Sequence, residues 1–152
     1  MRRTTGIAVT LTALVLLALG TPAFAGDEDQ VQVSENDLWA AAGEAFASEE
    51  EKTVALQQYQ LFLSHYKKSD RAAKAQFMLA ECYFHDGDYD QAFREYDRVR
   101  KFKGRDRYLE ASVMLRMGEC EYNTGRLEAA LQTFTRLLEK YPETYLADEA
   151  LF

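Results

Sequence analysis

Proline and glycine are scarce. The 152 residues hold 2 Pro and 8 Gly, of which one Pro and two Gly fall in the first 25. A loop-rich β-sandwich wants more turn-formers than that, so the chain reads as all-α. Cysteine is limited to 2 residues, which excludes a disulfide-dense scaffold. The two histidines, His65 and His85, have no metal-like spacing to each other or to acids. H-E-x-x-H, C-x-x-C, G-x-S-x-G and phosphate-loop patterns are all missing. The chain is therefore expected not to be an enzyme and to need no cofactor or metal. A basic surplus is also missing, with 18 basic against 25 acidic residues and a net charge of −7. Nucleic acid, which needs a basic face, is a poor partner for such a chain.

What is present is a globular composition, 47% hydrophobic and 28% charged. One domain of this size can fold without crosslinks or metals. Residues 1–25 read as a signal peptide. Arg2 and Arg3 supply a positive start, Ile7 to Leu19 an apolar stretch, and Ala23-Phe24-Ala25 the small residues a signal peptidase reads. The apolar stretch is short of the roughly 20 residues that span a bilayer. Cleavage before Gly26 and a periplasmic destination are expected. Removing two arginines from 18 leaves 16 basic residues against 25 acidic, or −9. No later apolar run is long enough to span a membrane, and residues 26–35 read as a flexible acidic leader.

A repeat organises the rest. Glu81-Cys82 with Gly87 matches Glu119-Cys120 with Gly125 at a spacing of 38. Ala55, Ala92 and Ala130 keep step, as do Tyr59, Tyr96 and Phe134, then Phe62, Val99 and Leu137. Gly43, Ala80 and Gly118 fill one further register. Each period reads as two helices. The expected helices are Asn36 to Ala47, one running to about Tyr66, Asp70 to His85, one opened by Asp88, Leu109 to Tyr122, and Leu127 to Tyr141. Ser48 and Glu51 are spaced as a capping box for the second. Gly43, Ala80 and Gly118 are expected at close helix crossings.

Trp39-x-x-Ala42-Gly43-x-x-Phe46 followed by Ala55, Tyr59 and Phe62 resembles a tetratricopeptide repeat. So do Leu79-Ala80-x-x-Tyr83 with Gly87, Ala92 and Tyr96, and Gly118 with Gly125, Ala130, Phe134, Leu137 and Pro142. The resemblance implies an α-solenoid of three helix hairpins and the start of a fourth, over about 36–69, 70–107, 108–143 and 144–152. The period of 37 to 38 exceeds the family's usual spacing of about 34. The Tyr141-Pro142 join is similar to the periplasmic branch, which includes an outer-membrane barrel-assembly lipoprotein and a Tol–Pal-associated division coordinator. No Cys follows the cleavage site for acylation and the leader carries no heptads, so the likeness is to the branch and to neither member.

The resemblance implies a peptide-binding groove on one face of the first helices: Glu44, Lys74, Phe77, Glu81, Phe84, His85, Leu115, Glu119, Tyr122 and Asn123. Phe77, Phe84, Leu115 and Tyr122 can equally pack between adjacent repeats. The ladder Glu44, Glu81, Glu119 would suit a segment carrying Lys or Arg with apolar residues. The implied function is a non-catalytic periplasmic scaffold in envelope or outer-membrane assembly. The alternative is the N-terminal repeat module of a longer envelope enzyme or transport component. Self-association through a partly covered last repeat, at Leu131, Phe134 and Leu138, is a further expectation.

Two smaller features complete the reading. Cys82 and Cys120 occupy equivalent points on stacked helices, roughly 8–10 Å apart, beyond the ~7 Å a disulfide spans. They are expected as buried free thiols. Arg98, Arg100, Lys101, Lys103, Arg105 and Arg107 form a basic cluster. It suits anionic head groups or an acidic partner, or more simply a solvated helix C-terminus. Export is directly testable: mass spectrometry of the periplasmic fraction is expected to give a chain beginning at Gly26. An uncleaved, acylated or membrane-held product contradicts the reading.

Overall fold

The computed structural model describes residues 33–48 and 51–143. Six helices lie among them: α1 Glu35–Ala47, α2 Lys52–His65, α3 Ala72–His85, α4 Tyr89–Val99, α5 Arg107–Asn123 and α6 Leu127–Lys140. No strand occurs among the described residues. The expected signal peptide, most of the expected leader and the expected start of a fourth repeat lie outside the described residues.

The helices pair in chain order as α1–α2, α3–α4 and α5–α6, and each hairpin packs on the next through α2–α3 and α4–α5. A weaker contact joins α3 directly to α5. The fold is an all-α, tetratricopeptide-like solenoid.

The core is a chain of three clusters, because the inner helices are apolar on two sides. Ala75, Leu79 and Cys82 of α3 join Leu38, Ala42, Tyr59 and Phe62 in the first cluster. Ala73 and Ala80 of the same helix join Tyr96, Val99, Val113 and Cys120 in the second. Ala111 and Leu115 of α5 then join Leu137 and Tyr141 in the third. Residues three, four or seven apart share a helix face, so each set is one stripe. Two stripes per helix let every hairpin serve as both floor and roof.

Local signals set the ends. Ser34, Asp88 and Asp106 each accept from the backbone N–H three residues on, at 3.2, 3.1 and 2.7 Å. Gly87 and Gly125 close α3 and α5 at φ 78° and 76°. Asp88 N donates to Tyr83 O and Gly87 N to Phe84 O, with Arg126 to Glu121 and Gly125 to Tyr122 repeating the pattern. This Schellman pair satisfies the last carbonyls and requires the left-handed residue that glycine supplies.

Join tyrosines hold the first and third hairpins shut. Tyr66, after α2, donates through its hydroxyl to Val33 O at 2.8 Å. Tyr141, after α6, donates to Glu110 in the first turn of α5 at 2.5 Å.

Four expectations need correction. Ser48 ends α1, and Glu51 opens α2 without any side-chain cap, so the capping box does not form. The third helix starts at Ala72 because Ser69 folds the preceding residues into a turn. Its hydroxyl accepts from Arg71 N at 3.0 Å and donates to Glu35 at 2.6 Å. Residues 33–35 are not part of a flexible leader: Ser34 caps α1 and Val33 receives Tyr66.

The fourth concerns glycine. Gly118 does sit at a close crossing, where an added Cβ would lie 2.4 Å from the Phe134 ring. Gly43 does not, being exposed with nothing within 4 Å of such a Cβ. α1 packs mainly on α2, and Ala42 takes the buried place instead. Gly118→Ala is therefore expected to destabilise by about 1–3 kcal/mol through overpacking. Gly43→Ala should stabilise by about 0.5–1 kcal/mol by improving helix propensity. Thermal melts of the two variants check both signs.

Candidate functional site

The face shared by α1, α3 and α5 carries part of the set singled out from the sequence. A row of contacts crosses all three helices. The Phe46 ring of α1 meets the edge of His85 at 5.6 Å, and His85 meets Phe84 at 6.3 Å. The Arg116 guanidinium of α5 lies 5.0 Å over the Phe84 ring. Arg116 donates onward to Glu119 at 2.8 Å and, through Nε, to Glu81 at 3.0 Å. Phe84 is held from the other side by Tyr89, at 5.3 Å.

Glu81 is the centre of this arrangement. It is only 6% exposed. A buried carboxylate without partners is costly, and this one has three donors: Tyr96 Oη and two nitrogens of Arg116. Burial, and the Glu81 carboxylate that accepts its proton, push the Tyr96 phenol far above its usual range. Burial pulls the Arg116 guanidinium down, but Glu119 and Glu81 outweigh it and hold it above its ordinary value. One side chain thus ties α3 to both α4 and α5.

The ladder of three free carboxylates is corrected accordingly. Glu81 has its acceptors occupied inside the protein, and Glu119 is half-buried against Arg116. Glu44 is exposed. Leu115 lines no groove, because it packs in the third core cluster. Phe77 packs at 5.4 Å on Tyr96 beside the second cluster. Lys74 is exposed, with its ammonium 6.0 Å from the Trp39 ring. Tyr122 is 63% exposed, and Asn123 donates to the Glu119 carbonyl at 2.8 Å. The face therefore presents Glu44, Phe46, Phe84, His85, Arg116, Glu119, Tyr122 and Asn123.

Arg116 went unread in the sequence. Its equivalents in the earlier repeats are Ala41 and Met78, so periodicity carries no trace of it. The one signal was its spacing from Glu119, three residues on, where opposite charges on a helix meet.

Two further buried carboxylates are satisfied within the fold. Glu95 receives Gln76 at 2.8 Å, Gln91 at 2.6 Å and Arg98, and Glu121 receives the Thr133 hydroxyl at 2.7 Å. Cys82 and Cys120 are free and buried, with burial pushing both thiols up to about 12. At neutral pH they are protonated and inert. Among the described residues, no cluster of His, Cys, Asp or Glu could hold a metal ion. No described helix is long and apolar enough to cross a membrane.

Residues 70–143 match the family model of the tetratricopeptide repeat. The matched span covers the second and third hairpins, α3 to α6. The first hairpin precedes it and packs on α3 in the same manner. A repeat region of this kind is a protein–protein interaction module. No curated protein matches the chain.

Removing Arg116 would leave Glu81 buried with only the Tyr96 hydroxyl. Breaking a buried pair from one side costs about 3–5 kcal/mol. Arg116→Ala is expected to lose about that much in denaturant unfolding, and far more than Arg94→Ala on the exposed side of α4. Equal losses would show that the Glu81 link is not holding the hairpins together.

Proposed function

We propose that the chain is a non-catalytic scaffold of the cell envelope, exported by its N-terminal leader, that captures a segment of a partner protein on the α1–α3–α5 face. The observation that supports this reading is the unbroken row from Phe46 through His85 and Phe84 to Arg116 and Glu119. A segment laid across the three helices meets an aromatic or charged group from each. Of this row His85 is exposed, and the exposed Tyr122 stands one turn from Glu119.

Aromatic anchors with a polar surround are what partner proteins grip. The carboxylates of Glu44 and Glu119 favour a segment carrying Lys or Arg, while Phe84 and Tyr122 favour apolar side chains beside them. The leader favours an envelope protein as the source of that segment.

Testing the face requires variants that keep the fold. Reversing Glu81 is unsuitable, since its burial makes it a folding residue. Glu44→Lys and Tyr122→Ala alter exposed groups instead. An envelope partner captured by the parent chain is titrated against both variants and against Lys103→Glu, an exposed change on the basic loop. Tyr122→Ala is expected to weaken binding by about 1–2 kcal/mol, Glu44→Lys by less, and Lys103→Glu not at all. Loss with Lys103→Glu alone would move the partner to the basic loop and sink the proposal.

A further inference from the structure

A second recess lies elsewhere on the molecule. The end of α4 and the loop after it form one wall, α6 the other, and α5 the floor. Its volume is about 560 Å³, inside the ~300–1,000 Å³ range of small-molecule sites. The floor is apolar, made by Val113, Met114 and Met117. These residues occupy a different face of α5 from Arg116, Glu119 and Asn123. The recess is therefore separate from the face proposed for the partner protein.

The walls are basic in a chain whose net charge is −7. Arg100 and Arg105 line one side, with Arg136 and Lys140 on the other. Glu110 sits among them but is already compensated. It accepts from Tyr141 at 2.5 Å, and from Arg105 and Lys140 at 3.4 Å each. The Tyr141 hydrogen bond helps hold its carboxyl below the usual range.

The guanidinium groups left over are Arg100 and Arg136. Arg100 has only an exposed pair with Asp97 at 3.1 Å, a weak hold. Arg136 has no partner among the described residues, and Glu139 is the one further acid on the rim. Guanidinium groups bind carboxylate and phosphate with paired N–H donors.

We infer that this cleft binds an anionic amphiphile, a single carboxylate or phosphate headgroup on a short hydrocarbon segment. The headgroup lies between Arg100 and Arg136, and the hydrocarbon lies on the two methionines. Methionine adapts its shape to such a chain. A bare inorganic anion leaves that floor uncovered. The neutral donors on the wall, the Thr133 and Tyr141 hydroxyls, are already given to Glu121 and Glu110.

The test follows the methyl resonances of Met114 and Met117 in the full chain during titration below the micelle concentration. The probes are decanoate, decyl phosphate, neutral decanol and inorganic phosphate. Decanoate or decyl phosphate should shift both methyls saturably and bind about ten-fold tighter than decanol or phosphate. Which of the two binds tighter separates a fatty-acid source from a phospholipid source.

Arg136→Gln and Arg100→Gln should each weaken the anionic probes by several-fold to about ten-fold, with the melting temperature unchanged because both side chains are exposed. Glu44→Lys should leave binding as it is. Decanol binding as tightly as decanoate, or Arg136→Gln binding as tightly as the parent, overturns the proposal. Absence of any shift at Met114 and Met117 overturns it equally, and none of these results bears on the α1–α3–α5 face.

Discussion

One buried carboxylate organises the join between the second and third hairpins. Glu81 stands on α3 with Tyr96 of α4 on one side and Arg116 of α5 on the other. Apolar contacts alone are non-directional and would let neighbouring hairpins slide by a helical turn. A carboxylate with three donors has one satisfying geometry, and any slip leaves a charge unpaired away from water. The same bond carries the surface with it. Arg116 lies over Phe84 because Glu81 and Glu119 hold it there, so the buried link also sets the exposed row.

The sequence was most legible where one physical rule acts alone. Helix stops at Gly87 and Gly125 follow from the need for a positive φ, and both appear as Schellman ends. Asp88 capping α4 follows from the orphan donors of a helix start. The thiols were readable because stacked equivalents stand too far apart to bridge, and both are free. The fold class followed from the two-helix period, since each repeat buries its stripe only by stacking.

Legibility failed where position in the stack changes a residue's surroundings. Gly43, Ala80 and Gly118 share a register, yet Gly43 is on the open side of the first helix. Repeat alignment treats ends and middles alike, whereas an end helix lacks one neighbour. The site misled for a related reason. Glu44, Glu81 and Glu119 look like one ladder, but their partners come from outside the register. Tyr96 lies on another helix, and Arg116 has only Ala41 and Met78 as equivalents. Ser48 failed as a cap because the short turn made it the end of α1.

Charge then separates what the two sides of α5 can do. Toward α3 its Arg116 is spent on two carboxylates, and what is left outward is Glu119 beside aromatic groups. Toward α4 and α6 the pattern reverses, with Glu110 surrounded by Arg105, Lys140 and Tyr141 and the unspent charges positive. In each case the buried or half-buried member is matched first, because desolvation penalises it most. Only the surplus remains at the surface. A helix that must face two neighbours therefore acquires two surfaces of opposite sign. The periodicity carries part of this, since Glu119 repeats Glu81 and Glu44 and Arg136 repeats Arg98, whereas Arg116 stands where the earlier repeats have Ala41 and Met78.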